Sequence, residues 1–464
     1  MGKRLAFLGA VLLLTAGRFW VRRRPPDPPR RSPPAPAEPV AVQIPIPAVA
    51  KETPPPAVTP VPKSRARSAM DRLLAALRSG DREKVEEALE ELRVELIPPP
   101  VPDAENAALL YKKAFELYVG GLDDEETDAM CRLSEGHAIT VEDRAKLQAV
   151  LDRNREALKL LHEAAGRPRC NFGVDYSQGA AAEIPHVNGM IRSLRLLEVE
   201  AFMGEGAGVT ETARAAHRLS EATAGEPTLI SQLVRGICLH MSGEVLQHEF
   251  DGAMTRDRLD SLVAGLSPDA IRSGFEKTLL FELYSGVKYV TEGGTFNLLY
   301  GGVPTPRRPE DPLTAQDLTY FAETMSEYAA LADRPYHEVR EEIARIEAAR
   351  VDGAPWYAEV TRLMLPAMGK AQRRLAMTEA SVGTARLAAA LRLYREENGR
   401  YPDSIDAVRG LLPVVPADPF TGKPYLYRRE GSGFLVYSVG EDGFDGGGQG
   451  GETGEADVVF RSKR

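Results

Sequence analysis

Histidine, cysteine and tryptophan are scarce in this chain of 464 residues, which holds seven, three and two of them. The cysteines, Cys131, Cys170 and Cys238, stand far apart with no C-x-x-C spacing. An odd count without metal spacing encodes neither a disulfide framework nor a thiolate metal site. The three read as buried thiols. Also missing are the G-x-S-x-G, phosphate-loop and G-x-G-x-x-G fingerprints, and with them the common signatures of hydrolases and nucleotide-binding enzymes. Excess positive charge is lacking too. Lys and Arg number 58 against 67 Asp and Glu, a net charge of −9, which argues against nucleic acid as a partner. With no reaction legible, the expectation is a protein that is not an enzyme.

One histidine constellation needs weighing. His240, Glu244 and His248 are spaced four apart, so they share a face of a predicted helix. Histidine and carboxylate can hold zinc. Yet the first and last would stand about 12 Å apart along the axis, too far for one ion, and a polar stripe is the reading taken.

What the chain does have begins with two unusual leading segments. Residues 5–16 are an apolar run behind Lys3 and Arg4, of signal-peptide length. Extended to Val21 the run reaches the lower limit for a membrane span, and no A-x-A cleavage site follows. The expectation is an uncleaved anchor over 1–24, a cleaved signal being the alternative. Fifteen of residues 25–62 are proline, and large apolar groups are almost absent. Such a stretch cannot bury a core and predicts a disordered, extended linker over 25–67, or else a proline-rich ligand for another protein.

Helical periodicity dominates residues 68–350. Helices are predicted over 82–96, 104–118, 140–161, 186–203, 210–224, 228–250, 256–266, 269–289 and 315–349. Thr140 and Asp143 have the spacing of a capping box. Residues 106–117 look like half of a tetratricopeptide repeat, but no second copy follows at the required interval. Two loops interrupt the helices: 166–185, with Arg167, Arg169, Asp175 and Tyr176, and 292–312, with Arg307 and Arg308. Long loops in a compact helical region are often functional, or they simply cover helix ends.

The tail, within 351–464, carries the most specific signal. Leu387, Leu391 and Tyr394 mark a helix face that should stop at Asn398-Gly399, with Pro402 beyond. Asp418-Pro419-Phe420-Thr421-Gly422 is turn chemistry. Residues 424–429 and 434–438 read as strands, joined as a hairpin by Gly431-Ser432-Gly433. Then come Glu441, Asp442, Asp445, Glu452, Glu455 and Asp457 among glycines, with no Lys or Arg before Arg461. Such a loop is either solvated or folded around a hard cation such as Ca²⁺, which accepts carboxylate and carbonyl oxygens in flexible geometry.

Three runs recur in a telling order: Leu393-Tyr394-Arg395-Glu396-Glu397-Asn398-Gly399-Arg400-Tyr401-Pro402, then Asp418-Pro419-Phe420-Thr421-Gly422-Lys423-Pro424-Tyr425-Leu426-Tyr427-Arg428, then Tyr437-Ser438-Val439-Gly440-Glu441-Asp442-Gly443. Over about eighty residues this resembles the C-terminal domain of the major pseudopilin of type II secretion. The resemblance implies a calcium loop. Asp442 matches the acid of the family's Gly-Ala-Asp-Gly run, Asp457 matches its late Ala-Asp, Asp445 falls where an acid is common, and the Val439 carbonyl is a further ligand. Unlike a pseudopilin stalk, the preceding helix carries Lys370, Arg373 and Arg374, so the module reads as grafted onto another protein. The helices-then-tail layout also resembles uncharacterised envelope proteins of planctomycete-like bacteria.

The combined expectation is a mainly α protein: an anchor, a disordered linker, an all-α domain over 68–350, and a small α+β module over 351–464 containing an antiparallel hairpin. It would be a membrane-tethered scaffold or secretion-associated component with protein partners in the cell envelope. Arg18 and Arg22 to Arg24 outweigh Lys3 and Arg4, which by the positive-inside rule would keep the bulk in the cytoplasm. A calcium loop suits an extracytoplasmic space instead, so the expected place is the bacterial inner membrane with the bulk periplasmic. The alternative is a helical domain that acts as a small-ligand receptor or an enzyme, with the tail as its lid.

Overall fold

The computed structural model describes residues 64–134, 137–204, 207–249, 254–265, 271–272, 274–293, 311–449 and 457–462. The predicted anchor, nearly all of the predicted linker, Arg307, Arg308, Glu452 and Glu455 lie outside them. Among the described residues no helix is long and apolar enough to cross a membrane. The architecture is mainly helical, with a small antiparallel sheet at its C-terminal end.

The chain enters through a helical hairpin, α1 (Arg65–Ser79) and α2 (Arg82–Leu96). Ser64 caps α1 by accepting the Arg67 amide at 3.1 Å. Gly80, at φ 68°, ends it in a left-handed turn, a conformation open to glycine without a Cβ penalty. Asp81 then caps α2. Met70, Leu73 and Leu77 are buried on one helix, and Val85, Leu89 and Leu92, spaced four and three apart, on the other.

Next come α3 (Ala107–Leu117), α4 (Asp124–Ser134), α5 (Val141–Arg153) and α6 (Arg155–Ala165). The capping box at Thr140 is present: its hydroxyl accepts the Asp143 amide at 3.0 Å, and Asp143 accepts the Thr140 amide at 3.3 Å. The single helix predicted over 140–161 is in fact two. Asn154 causes the break. Its buried amide side chain accepts from Val119 N at 2.8 Å and donates to the carbonyls of Val119 and Val150. Those tertiary bonds outweigh local helix propensity.

The central bundle comprises α7 (His186–Met203), α8 (Ala207–Ser220), α9 (Leu229–Glu249), α10 (Arg256–Gly265) and α11 (Phe275–Thr291). After α12 (Pro312–Ala329) the helix predicted over 315–349 divides at Pro335, which lacks an amide hydrogen to continue the ladder. The second part is α13 (Tyr336–Ile346), running into a six-residue π-helical turn, Glu347–Asp352. The short α14 (Glu359–Met364) precedes α15 (Pro366–Asn398), 33 residues long.

α15 organises the C-terminal half. Most of its residues are buried, on every face, because it packs on α9 and α10 along one side and on the sheet along the other. Gly399, at φ 74°, closes it where the sequence predicted. The sheet has order β1 (Leu426–Glu430), β2 (Gly433–Ser438), β3 (Val458–Arg461), all antiparallel. Glu430 pairs with Gly433, so the predicted hairpin is present with a two-residue turn. The third strand was not predicted. β2 is wholly buried, and Phe434 stacks on Phe460 of β3 at 6.2 Å while Tyr401 meets its edge at 4.8 Å.

Candidate functional site

The acidic loop is built by the pairing of β2 with β3. Ser438 and Val458 face each other across the ladder, so Val439, which follows one, and Asp457, which precedes the other, stand side by side at the closed end. Asp457 is 6% exposed. Its two carboxylate oxygens accept the amides of Gly446, at 3.3 Å, and Gly448, at 2.7 Å. The loop is thereby drawn back onto β3. Asp445 is exposed and accepts the Tyr437 hydroxyl at 2.9 Å and the Gly447 amide at 2.8 Å. Burial, then that hydrogen bond, pushes the Tyr437 hydroxyl up to about 12. Asp442 is exposed and, among the described residues, accepts only the nearby Phe444 amide, at 2.9 Å.

A residue read from the sequence only as turn chemistry matters more. Asp418 is 2% exposed and binds three donors: Phe420 N at 2.8 Å, Ser438 Oγ at 3.0 Å and Val439 N at 3.4 Å. Burial raises its carboxyl above the usual range, against the lowering effect of these donors. Asp418 therefore pins the Asp-Pro-Phe-Thr-Gly turn to the start of the loop. Its position before proline in a turn was legible; its burial was not.

Glu441 also departs from expectation. Along the sequence the loop's acids have no cation near them, but Arg373 of α15 lies 3.2 Å from Glu441 and 3.4 Å from Glu347. A charge that a pseudopilin stalk would not carry thus supplies the counter-ion for one of the six acids.

The four predicted ligands offer oxygen only, the donor chemistry that Ca²⁺ prefers. The fold brings Val439 and Asp457 together and leaves Asp442 and Asp445 on the exposed part of the same loop. Among the described residues no group of three or more His, Cys, Asp or Glu converges as a metal site. Several of these carboxylate oxygens hold loop amides, so ion binding requires some of those bonds to be exchanged.

His240, Glu244 and His248 all fall on α9, and the side chains of Glu244 and His248 lie outside the described residues. The loop over 166–185 is wired to α3. The amide of Ala107 bonds to Arg169 O at 2.8 Å, Asn106 bonds to Asn171 in both directions, and Asp175 caps the 3₁₀ turn Tyr176–Ala181 through the Ser177 amide. These contacts tie down helix ends. No local motif announces a histidine–carboxylate–serine chain that lies in the core. His186 stacks on Phe172 at 4.0 Å, its Nε2 lies 3.0 Å from Glu226 Oε1, and Ser231 donates to the same carboxylate. His186 and Glu226 are 5% and 7% exposed and Ser231 is fully buried, so this chain joins α7 to α9 rather than meeting a substrate.

No family model matches the chain, and no curated protein or solved structure matches it.

Proposed function

We propose that this protein is a non-enzymatic scaffold of the bacterial cell envelope, tethered through its N-terminal segment, whose pseudopilin-like C-terminal loop takes up Ca²⁺. The observation that supports the scaffold reading most is α15. One continuous helix is core to the bundle and support to the sheet, so the tail is braced against the body instead of swinging over it. A lid needs a hinge of a few residues that absorb the motion, and α15 gives none between bundle and sheet.

The ion would be held by Asp442, Asp445, Asp457 and the Val439 carbonyl, the oxygen set gathered on one strand–loop–strand unit. Calcium would add fixed positive charge where carboxylates otherwise repel one another.

The test is thermal melting of the full chain in detergent, with EDTA and with Ca²⁺. Binding to the folded form alone stabilises by about 2.7 kcal/mol at a hundredfold excess over Kd. A rise in melting temperature at millimolar Ca²⁺, abolished in Asp442→Ala, is expected. An unmoved melting point, or an equal rise in Asp442→Ala, removes the ion from the proposal. The scaffold role is tested separately by affinity capture from membranes, which should return envelope secretion components.

A further inference from the structure

An open groove of about 340 Å³ lies between α1, α12 and the π-helical turn, lined by Leu74, Arg78, Glu323, Ser326, Glu327 and Arg350. It is far in sequence from the acidic loop, and none of its residues figured in the sequence reading. Its polar groups follow one pattern. Arg78 spends Nε and Nη2 on a single oxygen, Glu323 Oε1, at 3.2 and 2.8 Å. Arg350 likewise spends Nε, at 2.9 Å, and Nη2 on Glu327 Oε1. A guanidinium has five N–H donors and two edges able to grip a carboxylate. In each arginine the side edge is taken. Among the described residues, neither arginine has a second carboxylate partner and Oε2 of each glutamate accepts no hydrogen bond, although the Arg350 side chain also meets that of Tyr320.

Arg350 is also held in place before any ligand arrives. Its guanidinium carbon sits 5.4 Å from the centroid of the Tyr320 ring, and its backbone carbonyl accepts the Tyr320 hydroxyl at 3.1 Å. The turn that presents it, Glu347–Asp352, is a π-helical segment with no buried residue. Such segments are rare and occur often at functional sites. Fixing the arginine beforehand reduces the ordering cost of binding.

Two guanidinium edges without a carboxylate partner and two carboxylate oxygens without a donor, in one groove, are neutral in sum. A simple anion would gain from the arginines and be repelled by the glutamates, and a simple cation the reverse. We propose that the groove binds a small zwitterion of the amino-acid class. Its carboxylate takes a guanidinium edge, its ammonium takes the glutamate oxygens, and its aliphatic part lies on Leu74. The proposal is independent of the calcium reading, since no residue is shared.

The experiment is ligand-observed saturation-transfer NMR on the full chain in detergent at constant ionic strength. The probes are L-alanine and its two halves, propionate and ethylamine. Saturation transfer to the L-alanine methyl with millimolar or tighter half-saturation, and at least tenfold weaker binding of each half, is expected. Arg350→Met should weaken L-alanine binding at least tenfold while leaving the melting temperature nearly unchanged, because exposed ion pairs add little stability. Glu327→Gln should weaken L-alanine and leave any residual propionate signal intact or stronger. Absence of transfer from L-alanine, equal binding of propionate, or undiminished binding in Arg350→Met would overturn the assignment and leave solvated surface ion pairs.

Discussion

Gly383→Ala should loosen the C-terminal module from the helical body, and its cost can be worked from one contact. A Cβ on Gly383 would lie 2.1 Å from the Tyr425 hydroxyl oxygen and 2.7 Å from its ring carbon Cζ, against roughly 3.5 Å for an unstrained contact. Tyr425 is 3% exposed, so its rigid ring has nowhere to retreat. Alanine in a helix interior gains about 1 kcal/mol over glycine, while forcing an extra carbon into a packed core costs about 1–3 kcal/mol and occasionally more. With so deep an overlap the upper end applies, and a net loss of about 2 kcal/mol follows. The same site supplies its own control. The Tyr425 hydroxyl is buried and has no hydrogen-bond partner among the described residues, and burial holds its pKa well above the usual value. Tyr425→Phe should therefore be neutral or stabilising by up to about 1 kcal/mol, since an unsatisfied buried hydroxyl carries only its desolvation cost. In the double variant the clash is eased, and a coupling of about 1 kcal/mol is expected. Urea unfolding of the full chain, followed by circular dichroism, measures all four proteins. A Gly383→Ala protein as stable as the parent, or strictly additive effects, would refute the close seating of Tyr425, just before β1, against α15.

The remaining expectations concern the loop and one histidine. Asp457→Ala leaves the amides of Gly446 and Gly448 without their carboxylate, and hydrogen bonds to a charged group contribute about 1.5–3 kcal/mol. Limited proteolysis should then cut within 440–449 at a higher rate than in the parent, with Asp457→Asn in between; equal rates would show that the buried acid does not restrain the loop. His162 lies 2.8 Å from Glu200, which also accepts the Thr212 hydroxyl, and this hydrogen bond raises the imidazole above 6.5. A raised folded value means that the contribution to stability is full below 6.5 and disappears as pH climbs through the elevated value. His162→Gln should flatten the pH dependence of the melting temperature in that window; an unchanged slope would remove His162 as its source.

The legible parts of this fold are those set by local chemistry. α2 and α7 carry clean apolar periodicity and begin and end where the sequence places them. The Thr140 box, the Gly399 stop and the two-residue hairpin turn rest on neighbours a few positions away. The division at Pro335 also has a local cause, whereas two other misreadings have distant ones. The break at Asn154 depends on Val119, and no local signal announces it. β3 was hidden because Val458 and Val459 follow a glycine-rich acidic run, and only pairing with β2 makes them a strand. In the site, acid spacing was visible, while the burial of Asp418 and Asp457 and the reach of Arg373 to Glu441 depend on α15 lying beneath the sheet.

The dual role of α15 also orders events at the ribosome. Its bundle-facing side can settle on the already completed α9 and α10 as soon as α15 itself has emerged, yet its other side stays bare until Phe434 and Phe460 have been made and paired. Nascent chains stalled in that interval carry an uncovered apolar helix flank, a hallmark that holdase chaperones and proteases recognise. Completing β3 therefore covers that flank only on chains translated through Arg461.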